Sequence, residues 1–390
     1  MSEHIELFSY PANWSQSVVE SFEFQTEIIT SQSGKEQRRA MRRNARFALE
    51  YQINPAGEDA LLLRRQLNFW GAHKFSVPNW ARRATAAEGA DPGLSFIPVT
   101  HPIPGLRTGH KIMFETEQGD LTTRTVVEQY MDRIEIDSPL LYRVPQGSYV
   151  YLVLDGYLPQ GQQSVAVTDA VTQMSVRFEA LPETIYFASA SPTLPQHDGL
   201  EVVELRPNWQ NGLETTHSYE TYDADFGRGV MQRYYPVDYT RPMVRWQMRS
   251  LNRDRSNAVI ALFHRLKGRL KPCYVPSWIN DLPVKKVKKG DTRMAVEGKD
   301  AYLYWDKSVD RAIRIETVDG TVWYNRVASV DETASGSEVK LVSSIPADAT
   351  VSRVCWMRRC RLGSDLLVVS WRSDTISECD LTFSTLEDIR

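Results

Sequence analysis

Val77-Pro78-Asn79-Trp80 and Val275-Pro276-Ser277-Trp278 are one phrase written twice. The sequence around each copy repeats as well. Upstream, Pro11-Ala12-Asn13-Trp14 has a counterpart in Pro207-Asn208-Trp209, and Arg46-Phe47-Ala48-Leu49-Glu50-Tyr51 in Arg241-Pro242-Met243-Val244-Arg245-Trp246. A helical stretch ends at Gly71 in one copy and at Gly268 in the other. Downstream, Gly119 answers to Gly320, and Val176-Arg177-Phe178 to Leu381-Thr382-Phe383. The spacing drifts from 195 residues at Trp14/Trp209, through 198 at Trp80/Trp278 and 201 at the glycines, to 205 at Phe178/Phe383. Such a drift reads as two homologous halves separated by short loop insertions. A duplicated chain predicts pseudo-symmetry that serves assembly.

Each half opens on strand patterns. Phe22, Phe24, Thr26 and Ile28 alternate with Glu23, Gln25 and Glu27, and Phe47, Leu49, Tyr51 and Ile53 alternate with Arg46, Ala48, Glu50 and Gln52. Val244, Trp246 and Met248 repeat that period of two, the period of a half-buried strand. A helix follows. Val259, Leu262, Phe263 and Leu266 form one apolar stripe, and Ala60, Leu63, Leu67 and Trp70 a less regular one. Gly71 and Gly268 are expected in the left-handed conformation that ends a helix. Downstream come short strands and tight turns, including hairpins at Gln118-Gly119-Asp120 and Asp319-Gly320. Five such strands per half predict a small barrel. The last strand of each half, 172–178 and 377–383, is expected to rejoin the opening sheet.

The expected fold is therefore mainly β: two tandem copies of an antiparallel β-sandwich with one packed helix, each carrying an inserted small β-barrel. The first sandwich block takes 1–83, closed by a strand at 170–181, with its barrel at 84–169. A proline-bearing linker takes 182–200. The second block takes 201–283, closed by 375–386, with its barrel at 284–374.

A chain of 390 residues has room for two to four domains with real cores. A net charge of −3 argues against nucleic-acid binding by bulk electrostatics, and no sequence-specific nucleic-acid partner is expected. No run of 18 apolar residues is present, so no membrane partner is expected. Met1-Ser2-Glu3-His4 lacks the features of a secretory signal, and synthesis in a cytoplasm is the expectation. The cysteines, Cys273, Cys355, Cys360 and Cys379, all fall in the second half, which argues against a shared disulfide framework. Their spacing does not fit a zinc knuckle and no histidine lies among them; buried free thiols are expected, a pair or metal site being the alternative.

No phosphate-cradling loop, Gly-x-Ser-x-Gly elbow or His-Glu-x-x-His is present, so neither enzyme activity nor a cofactor is expected. Asp223-Ala224-Asp225 is the tightest acidic pair, either a solvated turn or a calcium or sugar contact. The densest charge cluster runs from Gly34 to Arg46. It reads either as a solvated turn or as a tongue whose Arg38, Arg39, Arg42 and Arg43 dock on an acidic partner, because the guanidinium fork pairs two-pronged with carboxylates. The second half has Gly227-Arg228-Gly229-Val230-Met231-Gln232-Arg233-Tyr234 there instead, so the two halves are expected to face different surfaces. Trp14, Trp80, Trp209 and Trp278 recur and are expected as packing anchors, with a sugar platform as the alternative.

Three stretches carry a resemblance: Tyr10-Pro11-Ala12-Asn13-Trp14, Ser33-Gly34-Lys35-Glu36-Gln37-Arg38-Arg39-Ala40, and Phe263-His264-Arg265-Leu266-Lys267-Gly268-Arg269 with Val275-Pro276-Ser277-Trp278. They resemble tail proteins of long-tailed bacteriophages, particularly distal-tail-like proteins of the tail tip. In that family a Ser-Gly-x-Glu-Gln-Arg-Arg-Ala turn precedes a strand, and a Gly-Arg-x-x-x-Phe-Trp-x-Pro-Thr/Ser-Trp run follows a helix. The first motif matches only the first half. The second fits the second half better, with Cys273-Tyr274 in place of the aromatic pair. The resemblance implies a structural virion protein, assembled in the host cytoplasm, forming a ring that joins tail tube to hub and fibres. Its implied partners are itself (a trimer with pseudo-six-fold symmetry, or a hexamer), the tube protein, and the hub and fibre proteins. The alternative function is a carbohydrate- or receptor-binding module presenting Tyr219, Tyr222, Tyr234, Tyr235 and Tyr239.

Overall fold

The computed structural model describes residues 5–31, 36–182, 193–209, 211–217, 221–227, 229, 231–234 and 242–386. Strands hold 49% of the chain and helices 9%, so the fold is mainly β, with antiparallel pairing dominant. Residues 183–192 of the expected linker lie outside the described residues.

In the first half, Arg46–Ile53 lies between Val18–Glu23 and Thr172–Ala180, antiparallel to both. Phe47, Leu49, Tyr51 and Ile53, the apolar members of the alternation, are buried. Phe75–Thr85 pairs with Tyr149–Tyr157, which reaches Thr172–Ala180 only at Gly156 and Tyr157. Gly156 is required there, because a Cβ would stand 2.1 Å from the Glu179 carbonyl oxygen. The ladder then runs through Lys111–Glu115, Leu121–Gln129, Arg133–Ile136 and Phe96–Pro98. It returns to its start through the Ala86–Val99 bridge, so this part closes on itself as a small barrel.

The second half runs in the same order. Met243–Ser250 lies between Leu213–Thr216 and Ser377–Thr385. Cys273–Pro276 pairs with Ala349–Leu362, which touches Ser377–Thr385 through Cys360, Arg361 and Leu362. From Ala349–Leu362 the ladder continues through Ala312–Thr317, Val322–Thr333, Gly336–Leu341 and Arg293–Glu297. This ladder packs over its own core, including Ile313, Ile315, Val339, Val354 and Trp356.

The helix Arg253–Leu266 packs Val259, Leu262, Phe263 and Leu266 into the main core. Asn252 caps it by accepting the Asp254 N–H at 2.6 Å, and Lys267 (φ 53°) and Gly268 (φ 61°) end it in the left-handed region. The helix Glu58–Trp70 buries Ala60 and Leu63 and leaves Leu61, Leu62 and Phe69 exposed. Gly71 departs from expectation: at φ −54° it stays right-handed. Its N–H reaches the Leu67 carbonyl, and the His73 N–H and the Trp70 indole wind the chain onward without a reversal. A third, short helix spans Asp300–Leu303.

The two halves meet edge to edge. Val18–Glu23 pairs antiparallel with Leu366–Trp371, from Val18 opposite Trp371 to Glu23 opposite Leu366. One continuous core runs beneath this seam and includes Phe22, Phe47, Phe263 and Trp371.

Candidate assembly surface

The arginine tongue is a hairpin of Thr26–Thr30 and Glu36–Ala40, with Ile28 opposite Arg38 and Glu27 opposite Arg39. Residues 32–35, which include Ser33, Gly34 and Lys35, lie outside the described residues. Its root is tied to the second half by Asp365, whose carboxylate accepts the Thr26 N–H (2.8 Å), the Thr26 hydroxyl (2.9 Å) and the Arg269 N–H (2.8 Å). Burial would raise the Asp365 pKa, but these bonds and the Arg269 charge hold it below the usual carboxylate value. Gly268 leaves room for this contact, since a Cβ there would stand 2.4 Å from an Asp365 carboxylate oxygen.

The four tongue arginines divide into two pairs. Arg38 has only 10% of its side chain exposed; it grips Glu36 through Nε (3.0 Å) and Nη2 (2.7 Å) and donates from Nη1 to the Arg269 carbonyl at 2.7 Å. Arg42 pairs with Glu23 at 3.0 Å. Both therefore brace the tongue within the chain. Arg39 and Arg43 are exposed.

At the seam lies a buried charge knot. Glu20 is fully buried, and Arg82 closes on its carboxylate with two bonds of 2.6 and 3.0 Å. Asn79 adds a bond at 2.8 Å, and Trp371, from the second half, donates its indole N–H at 3.0 Å. Burial alone would raise the Glu20 pKa; the Arg82 charge and these donors turn the shift downward. Arg253 lies with its guanidinium 4.7 Å over the Trp371 ring and donates to the Ala81 carbonyl. Burial, then repulsion from Arg82, lowers its pKa to about 10. Nearby His264 sits edge-on to Phe22 and Phe24, and burial followed by the Arg82 charge lowers its pKa to about 4. Sequence reading missed this knot. Its one visible signal was Glu20, a charge on the inward face of a strand between Val18 and Phe22.

The recurrent tryptophans do not share one role. Trp80 and Trp278 are 5% and 1% exposed. Trp80 packs edge-on to Tyr151 at 4.9 Å, and Arg314 lies 5.2 Å over Trp278. Trp14 is partly buried against the main core. Trp209 is 53% exposed, which corrects its expected role as a packing anchor. It stands on the turn before Leu213–Thr216, an edge strand with nothing on its outer side among the described residues.

The hairpin of Tyr222–Asp225 and Met231–Tyr234 sets Tyr222 opposite Tyr234, 68% and 54% exposed. Asp223 is held by Arg233 at 2.7 and 3.0 Å, and Asp225 accepts the Gly227 N–H, so this acidic pair is committed locally. Tyr219, Tyr235, Tyr239 and Arg228 lie outside the described residues. Among the described residues no group of three His, Cys, Asp or Glu side chains is placed to hold a metal. All four cysteines are free and buried, and burial raises the Cys360 and Cys379 thiols to about 12.

No family model and no curated protein matches the chain. Among solved structures it is similar to the tandem CBM22-1–CBM22-2 domain of Paenibacillus barcinonensis Xyn10C, at 10% identity over 94% of this chain and 93% of that one, with a TM-score of 0.12. A second likeness is to oxalate decarboxylase, at 8% identity over 92% and 73% of the two chains, with a TM-score of 0.09. At such scores neither likeness carries an argument.

Proposed function

We propose that this chain is a structural protein of a bacteriophage tail tip. In this reading its halves are two copies of one sheet-and-helix unit, and the chain self-associates into a ring joining the tail tube to hub and fibre proteins. The observation that supports it most is the seam. One half joins the other by adding strand Leu366–Trp371 to the edge of Val18–Glu23, a contact between two different edges. A contact of that kind can be repeated from unit to unit, and it forms a ring where its rotation closes. Three chains would present six similar units, and a plain ring of single units would need six chains. Arg39 and Arg43 are the tongue arginines left to meet an acidic neighbour.

Native mass spectrometry of the purified chain, with immunodetection in purified virions, tests this function. A trimer or hexamer that is also found in virions is the expected result. A chain that stays monomeric at high concentration, or is missing from virions, contradicts it.

The exposed Tyr222–Tyr234 pair favours a second reading, a carbohydrate- or receptor-binding module of the virion. Binding on a glycan array that is lost in Tyr222→Ala would support it; an array without signal would remove it.

A further inference from the structure

We infer that neighbouring chains join by the same edge pairing that joins the halves within one chain. The Ser164–Ala166 strand of one copy takes the Leu213–Thr216 strand of the next, antiparallel, with Leu213 opposite Ala166, Glu214 opposite Val165 and Thr215 opposite Ser164. This rests on the proposed self-association and adds its surface, direction and register.

The register follows from ladder positions. Within the chain, Leu366–Trp371 turns back on Ser377–Thr385, with Ser370 opposite Glu378 and Trp371 opposite Ser377, and offers its other edge to Val18–Glu23. In the first half, Ser164–Ala166 turns back on Thr172–Ala180 in the same way, with Val165 opposite Gln173 and Ala166 opposite Thr172. Val165 and Ala166 thus hold the places of Ser370 and Trp371. Likewise Val19 lies opposite Glu50 and Glu20 opposite Leu49, while Glu214 lies opposite Arg245 and Thr215 opposite Val244. Glu214 and Thr215 thus hold the places of Val19 and Glu20. Val19 faces Ser370 at the seam, so Glu214 faces Val165 between chains.

Burial agrees with this placement. The two edges that meet within the chain alternate between buried residues and partly or fully exposed ones. Their counterparts are open: Ser164–Ala166 is exposed throughout, Leu213–Thr216 nearly so, and neither has a second neighbouring strand among the described residues. Val165 and Val167 are 61% and 59% exposed at this edge, an arrangement that invites another strand. Trp209, exposed before the open edge, stands where Trp14 stands, partly buried, before the joined one. The open edges also carry smaller side chains: Ala166 replaces Trp371 and Thr215 replaces Glu20, so no charge knot forms. The contact between chains therefore separates more readily than the seam.

Paired cysteines in the full chain test the register. Opposed residues of antiparallel strands have Cα atoms about 4.5–5.5 Å apart, within disulfide reach. Mild oxidation of the variant carrying both Val165→Cys and Glu214→Cys is expected to give reducible covalent dimers and higher ladders. The one-residue-offset pair, Val165→Cys with Thr215→Cys, is expected to give about tenfold less, because its side chains face opposite sides of the sheet. An assembled oligomer whose in-register pair cross-links no better than the offset pair would overturn this inference and leave the proposed function standing. A monomeric parent chain would instead overturn both.

Discussion

Trp371 donates its indole N–H to the Glu20 carboxylate at 3.0 Å, joining residues 351 positions apart across the seam between the halves. The same carboxylate holds Arg82, so one buried anion organises side chains from both halves. A seam built this way depends on keeping that anion charged and paired.

Removing the anion is therefore expected to be costly. Glu20→Ala removes the carboxylate that balances the buried Arg82 guanidinium and should lose about 3–5 kcal/mol of stability. Trp371→Phe removes the indole N–H together with part of a fully buried ring, and should cost a smaller amount, about 1.5–3 kcal/mol. Urea unfolding of both variants checks the order.

Acid should loosen the same region. The His264 pKa falls from an ordinary 6.5 to about 4 in the fold, so between those values the unfolded chain takes up a proton that the native chain refuses. Its contribution is complete above about pH 6.5 and is lost as pH falls toward 4, on the order of 3 kcal/mol in all. The Glu20 pKa is also lowered, so its contribution is lost as pH falls through that depressed value. Urea midpoints should stay level from pH 7.5 to about 6.5 and fall from there to 4.5, and His264→Phe should flatten that fall.

The two pairs of tongue arginines should separate by assay. Reversing the exposed Arg39 and Arg43 to Glu should change stability by no more than about 0.5 kcal/mol and lower incorporation into virions. Arg38→Glu should destabilise the fold itself, because it sets a carboxylate against Glu36 and the Arg269 carbonyl. Thermal melts and immunoblots of purified particles distinguish the two effects.

The four thiols should be silent in the native chain. Burial raises Cys355 to about 11 and Cys360 and Cys379 to about 12, and Cys273 well above its ordinary value. Thiolate is the reactive form, so a disulfide-exchange reagent at pH 8 should label the chain only on unfolding. Four equivalents released in denaturant, with almost none before, is the expected record.

Much of the fold was legible because it is local. The alternation in 46–53 buries the residues it predicts, and the Asp319-Gly320 turn joins two paired strands. The stripe at Val259, Leu262, Phe263 and Leu266 faces the core. What escaped depends on distant neighbours. Arg38 reads as a docking residue until the Arg269 carbonyl is found at 2.7 Å. Trp209 sits in the same phrase as Trp14, yet its burial would require a strand that is not beside it among the described residues. Glu20 signalled a buried charge, but nothing local named Arg82 and Trp371 as its partners.

In the assembly proposed above, the chain continues its own seam from one copy to the next. Native mass spectrometry of the purified protein tests it most directly. A closed species of three chains, or of six, is expected; a monomer that persists as concentration rises would rule this assembly out.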